Sequence, residues 1–131
     1  MSETIKVALL GLGNVGQQFA EAFLEIIQEK GKPVEIVAVA HRHLDSPVAL
    51  GFSQSGVPVY EDPLEVAKLG EKVDIIFDVT GDESLRQSLR QAMADSSNRH
   101  TVIVPESVAK LMYLFFEEGN QLLGGEVGGG Y

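Results

Sequence analysis

The chain has 131 residues, no Cys, and 19 acidic against 10 basic side chains, for a formal net charge of −9. That length suits one domain with one sizeable core; the missing Cys excludes disulfide frameworks, thiolate zinc sites, Fe–S clusters and cysteine nucleophiles, and the acidic balance leaves no basic stripe for nucleic acid or an anionic membrane surface. The longest strongly apolar run, Leu111 to Phe116, is far short of the roughly 20 residues that span a bilayer, and the N-terminus lacks an apolar signal core, so a cytoplasmic protein with no nucleic-acid or membrane partner is expected.

Lys6 to Leu10 is a short apolar run ending at glycines, which reads as a strand buried on both faces of a parallel sheet. From Asn14 the period changes. Val15, Phe19, Phe23, Ile26 and Ile27 recur at helical spacing with polar residues between them, which predicts an amphipathic helix stopped by Gly31 and Pro33. Val34 to Ala40 is a second buried strand. Residues 41–56 read as a loop with room for one helical turn. Val57 to Tyr60 reads as an edge strand, a place that suits Pro58. Asp62-Pro63-Leu64-Glu65 reads as a helix start, with Asp62 as cap, Pro63 in the first helical position and Glu65 as the capping-box acid. Gly70 is expected to stop that helix after about two turns.

Val73 to Val79 is the next strand. Thr80-Gly81-Asp82-Glu83 repeats the Thr-x-x-Glu capping pattern, and Leu85, Leu89, Ala92 and Met93 mark one face of the helix behind it. Asp95 to Asn98 is a turn, and Thr101 to Val104 a fifth strand ended by Pro105. Ser107 to Glu118 is the last helix, closed by Gly119. Its residues Val108, Leu111, Met112 and Phe115 form one apolar face, with Leu114 and Phe116 pointing elsewhere. Residues 1–118 are then the domain and 119–131 a Gly-rich tail, with five Gly in the last eight positions. Strands alternating with helices predict an α/β fold: a doubly wound parallel sheet of about five strands in three α/β/α layers.

Gly11-Leu12-Gly13-Asn14-Val15-Gly16 is G-x-G-x-x-G, placed directly after a predicted strand and opening a predicted helix. That context makes it a Rossmann-like dinucleotide motif. Gly11 permits the turn out of the strand, Gly13 lets a pyrophosphate approach the backbone, and Gly16 lets helix and strand pack closely. The unpaired amides and dipole at the helix start, around Asn14 and Val15, favour the diphosphate charge even in an acidic protein, because the attraction is local. A plain strand-to-helix turn would use the same glycines.

The acid that bonds a ribose 2′-hydroxyl, about 20 residues further on, is missing. The second strand runs instead into His41-Arg42-His43, and the first acid is Asp45. An Arg there binds a 2′-phosphate that a carboxylate would repel, so NADP is preferred over NAD, with Arg42 as a solvated loop charge the other reading. His41-x-His43 has no third ligand in view, so no metal is expected. Thr80 and Gly81, at the end of the fourth strand, are expected to face the middle of a dinucleotide, near its second ribose, and serve equally as a helix cap and turn. Glu106, at the end of the fifth strand, is the one carboxylate there that could meet a substrate, and it also suits a first helical turn. No catalytic residue is assigned. Tyr-x-x-x-Lys does not occur, and His100 lies at the wrong end of the sheet.

Residues 7–16 and 36–40 resemble the N-terminal NAD(P)-binding domain of homoserine dehydrogenases. The Asp78-Val79-Thr80-Gly81 turn looks like that of related two-domain dehydrogenases. Residues 74–82, with Val102 to Pro105 and the Leu-rich helix, are also similar to small Rossmann domains of bacterial signalling proteins. The resemblance spans about residues 4–116 and implies dinucleotide binding at Gly11, Gly13, Asn14, Val15 and Gly16, with nothing catalytic. Three functions stay open. The first is a stand-alone NAD(P)-binding module with a sensing or regulatory role. The second is an oxidoreductase whose substrate site is completed by a homodimer partner or another protein, docked through the C-terminal helix. The third is a different adenine ligand, such as coenzyme A or S-adenosylmethionine, or a scaffold that binds only protein.

Overall fold

A computed structural model describes residues 3–123, with the side chains at 14, 15 and 117–123 left aside. Five strands, β1 (Ile5–Leu10), β2 (Val34–Ala40), β3 (Val59–Tyr60), β4 (Ile75–Asp78) and β5 (Val102–Val104), form one sheet in the order β3-β2-β1-β4-β5. Every pairing is parallel. The expected doubly wound three-layer fold is therefore the one observed. Its strand order reverses between β1 and β4.

The two helical layers follow from the alternation of side chains along β1. Val7 and Leu9 enter one core, with Phe19, Phe23, Phe52, Phe77 and Ala109. Ala8 and Leu10 enter the other, with Val66, Val73, Ile76, Leu89 and Met93. Helices α1 (Asn14–Lys30), α2 (Pro47–Gln54) and α5 (Glu106–Leu123) cover the first face. Helices α3 (Leu64–Ala67) and α4 (Glu83–Asp95) cover the second. A strand buried on both faces has no polar side to show, which is why β1 and the second half of β2 read as continuous apolar runs.

The 41–56 segment departs from its reading as a loop. It holds α2, a helix of eight residues. The Ser46 hydroxyl caps it by accepting the Ala49 N–H at 3.2 Å, and Pro47 opens it. Gly51 and Ser53 are weak helix formers locally, but burial of Val48, Ala49 and Phe52 outweighs their propensity. The helix after Asp62 is shorter than expected. Asp62 accepts the Leu64 N–H at 3.0 Å as a turn, α3 covers four residues, and Gly70 opens a short 3-10 turn at φ 63° rather than ending a two-turn helix. Glu65 pairs with Lys68 at 3.1 Å instead of closing a capping box.

The last helix differs most. It continues through Gly119 to Leu123, so Gly119 is not its stop; residues 124–131 of the expected tail lie outside the described residues. Of the expected apolar face only Met112 packs inward. Ala109 is buried, and Met112, Tyr113 and Phe116 pack on the core. The Phe116 ring stacks on Phe19 and Phe23 at 5.9 and 5.6 Å between centroids. Val108, Leu111, Leu114 and Phe115 are left exposed. With six apolar residues in a row the sequence supports two stripes, and only packing against α1 selects one. No helix among the described residues is long and apolar enough to cross a membrane.

Candidate dinucleotide site

In open α/β sheets, ligands lie beyond the carboxyl ends of the strands where the strand order reverses. Here that place is the crevice between the ends of β1 and β4, where Leu10 and Asp78 are register partners. The three glycines of the motif play three separate steric roles. Gly11 takes φ 93°, a left-handed conformation, and donates its N–H to the Ala40 carbonyl at 3.0 Å. A side chain on it would meet Thr80, whose N, Cα and Cγ2 lie 2.9–3.0 Å from where a Cβ would stand. At Gly16 a Cβ would run into the Gly11 carbonyl oxygen, with Val79 Cγ2 at 3.0 Å.

Gly13 is the opposite case. It is the N-cap of α1 in an extended conformation, and nothing lies within 4 Å of where its Cβ would be. No side chain caps α1, and its first turn carries no acidic residue. The first amides of a helix have no intrahelical partner, so this start offers N–H groups and the positive end of the dipole beside the open space at Gly13. Asn14 and Val15 lie in that turn by backbone position.

At the end of β2, the pairing of Leu10 with Ala40 puts the exit of His41-Arg42 on the same sheet edge as Gly11. The His41 N–H donates to the Tyr60 carbonyl at 2.9 Å, and the side chain is partly buried. Burial first, then the neighbouring His43 and Arg42, hold the His41 imidazole below its ordinary pKa. Arg42, His43 and Asp45 are exposed. His41 and His43 stand edge to face, 5.8 Å apart. Among the described residues, no group of three metal-ligating side chains includes them.

At the end of β4, Thr80 is more committed than the sequence suggests. Its hydroxyl donates to Asp78 Oδ1 at 2.6 Å, its N–H reaches the same oxygen at 3.1 Å, and its Oγ accepts the Asp82 N–H at 3.1 Å. The cap of α4 is Asp82, which accepts the Leu85 N–H at 3.1 Å, and not Thr80. The outward surface of the turn is therefore Gly81, exposed, at φ 72° and with open space around its Cβ position. Asp78 itself is fully buried, and its other oxygen accepts Arg86 Nε at 3.2 Å. Sequence reasoning passed over this pair. A single Asp closing the apolar strand Ile75-Ile76-Phe77, with an Arg one turn into the next helix, was the available signal.

Glu106 opens α5 as its first-turn acid. His100 is remote from the crevice: it bonds Asp74 at 2.5 Å, at the amino end of the sheet. The Lys6 amide N–H, and after it the His100 ring, hold the Asp74 carboxyl below its usual range.

Comparison with known proteins agrees with the fold. The family model described as the homoserine dehydrogenase NAD-binding domain matches residues 11–114. A homoserine dehydrogenase structure from Thiobacillus denitrificans is 31% identical, with a TM-score of 0.53, over 77% of this chain and 23% of that one. One from S. aureus is 23% identical, with a TM-score of 0.59, over 92% of this chain and 31% of that one. GenD2 from gentamicin A biosynthesis, solved in complex with NAD, shares the fold at 20% identity and a TM-score of 0.50, over 80% of this chain and 35% of that one. A comparison with curated proteins finds no match. The chain thus spans less than a third of the length of these two homoserine dehydrogenases.

Proposed function

This chain belongs to the homoserine dehydrogenase NAD-binding domain family, and on that premise we propose that it is a dinucleotide-binding module with a sensing or regulatory role. Gly11, Gly13, Asn14, Val15 and Gly16 hold the pyrophosphate at the start of α1. His41 and Arg42 receive the adenosine ribose, and Thr80 and Gly81 flank the second ribose. The observation that carries this reading is the unobstructed Gly13, at a helix start with no capping side chain and no first-turn acid, beside the β1/β4 switch point.

NADP is the preferred ligand. Arg42 is exposed at the end of β2, where an NAD-type site would place a carboxylate. A guanidinium there pairs with the 2′-phosphate in two-pronged fashion. The depressed basicity of His41 leaves that role to Arg42 near neutral pH. Isothermal titration with NADPH and with NADH tests the proposal. Binding of NADPH more tightly than NADH is expected, and binding of neither at millimolar ligand refutes it.

One observation favours a second reading, an NAD(P)-dependent oxidoreductase completed by a partner. Leu111, Leu114 and Phe115 are 54, 62 and 66% exposed on one side of α5. Three large apolar side chains clustered in water are an interaction surface by the ordinary rule for such patches. A homodimer through α5 is the simplest form. A strictly monomeric protein by light scattering at high concentration would remove it.

A further inference from the structure

The buried ion pair behind the Thr80 turn is not accounted for by dinucleotide contacts. Asp78 ends a core strand with none of its side chain exposed, while its register partner on β1 is Leu10. A carboxylate in that place is costly to bury unless donors meet it, and an apolar residue would fill the space more cheaply. Three donors do meet it: the Thr80 amide, the Thr80 hydroxyl and Arg86 Nε.

These contacts close a ring. Asp78 holds Thr80, and the Thr80 hydroxyl oxygen holds the Asp82 amide. Asp82 caps α4 through Leu85, and its carbonyl accepts the Arg86 N–H at 3.1 Å. Arg86 then returns to Asp78. The ring presses one side of the glycine motif, because Thr80 lies against Gly11 on the side where a side chain would stand. The Gly11 carbonyl in turn lies against Gly16. A shift of the Thr80 turn is thereby a shift of the loop that opens α1.

We propose that Arg86 is a positioning residue for the dinucleotide site: by holding Asp78 it sets the Thr80 turn, and through that turn the Gly11–Gly16 loop. The proposal rests on the dinucleotide reading above. The Arg86 Nε is spent on Asp78 and its side chain is largely buried, so its effect is read in affinity and in local order.

The test compares the full chain with Arg86→Met, Arg86→Lys, the pair Asp78→Asn with Arg86→Met, and Leu89→Ala as a control on the same helix. NADPH affinity is measured well below every melting temperature, beside amide hydrogen exchange. Arg86→Met is expected to weaken NADPH binding about tenfold and to speed exchange at Thr80 and Asp82. The double substitution should recover most of the affinity, because the neutral amide in place of the carboxylate keeps an acceptor for Thr80 and no longer needs a counter-charge. Leu89→Ala should lower the melting temperature and leave affinity alone. An Arg86→Met protein that binds within about twofold of the unsubstituted chain, or loses no more affinity than Leu89→Ala, overturns the proposal. Arg86→Lys keeps a cation for Asp78 and is expected to bind closer to the unsubstituted chain than Arg86→Met. Should Arg86→Met not fold, Arg86→Gln decides: weaker binding with faster Thr80 exchange supports the proposal, and no change in either overturns it. Failure of the unsubstituted chain to bind NADPH or NADH refutes the nucleotide reading and this proposal together. Binding that is indifferent to Arg86 refutes this proposal alone.

Discussion

Gly13→Ala separates folding from binding at this site. The backbone at Gly13 is extended, at φ −77° and ψ −164°, and the new methyl would have no protein neighbour within 4 Å. Its cost to folding is small. Alanine is a poorer N-cap than glycine, but it also restricts the unfolded chain, and the two effects differ by less than about 1 kcal/mol. On the proposed reading the methyl stands where the pyrophosphate approaches the amides, so a large cost to binding is expected. Losing two charge-assisted hydrogen bonds at about 1.5–3 kcal/mol each lowers affinity by about a hundredfold or more. Thermal unfolding with and without NADPH reads both effects. Ligand at about 100 times its dissociation constant adds about 2.7 kcal/mol. For 131 residues that raises the melting temperature by about 10 °C. Gly13→Ala should melt within about 4 °C of the unsubstituted chain without ligand, and lose almost all of the ligand-induced rise. Gly16→Ala should behave differently, because its methyl meets the Gly11 carbonyl. An overpacking cost of about 1–3 kcal/mol should lower its melting temperature even without ligand. A Gly13→Ala protein that keeps the full rise with NADPH would show that the ligand does not approach this helix start.

Arg42→Leu should weaken NADPH binding about tenfold or more and leave NADH nearly unchanged, as measured by isothermal titration; equal losses for both would remove the 2′-phosphate role. His41 is held below its ordinary value of 6.5 in the folded state, so below that pH the unfolded chain takes up a proton the folded one resists. Stability should therefore fall as pH drops from 6.5 towards the folded pKa, and His41→Asn should flatten that part of a urea-midpoint profile. Asp74 has the complementary sign. Its depressed pKa supports folding above the ordinary carboxylate value and is lost in stronger acid, so Asp74→Asn should reduce the acid sensitivity of the midpoint below about pH 4. On α5, Phe116→Ala should cost about 2–4 kcal/mol of unfolding free energy through the lost ring stack. Phe115→Glu should change monomer stability by no more than about 0.5 kcal/mol while abolishing any self-association seen by light scattering.

Much of this protein is local. An apolar run ending at Gly11, a change of period at Asn14 and a second run to Ala40 specify a strand, a helix and a strand. Alternation of such units leaves a parallel sheet as almost the only way to bury both faces. The three glycines are legible because each answers a constraint set within a few residues, a turn or a helix start. Tertiary structure decides what depends on residues far apart in sequence. The contact of Thr80 with Gly11 joins positions 69 residues apart, and no spacing rule marks it. Asp78 reads as the polar end of a strand until the fold buries it and α4 brings Arg86 to meet it. The spacing on α5 marks Val108, Leu111, Met112 and Phe115 as its apolar face, and the Phe19 and Phe23 rings of α1 take Phe116 instead. Helix α2 likewise exists because Phe52 found a core to enter. Local chemistry chose the elements, and burial, which depends on what the rest of the chain supplies, chose their faces and partners.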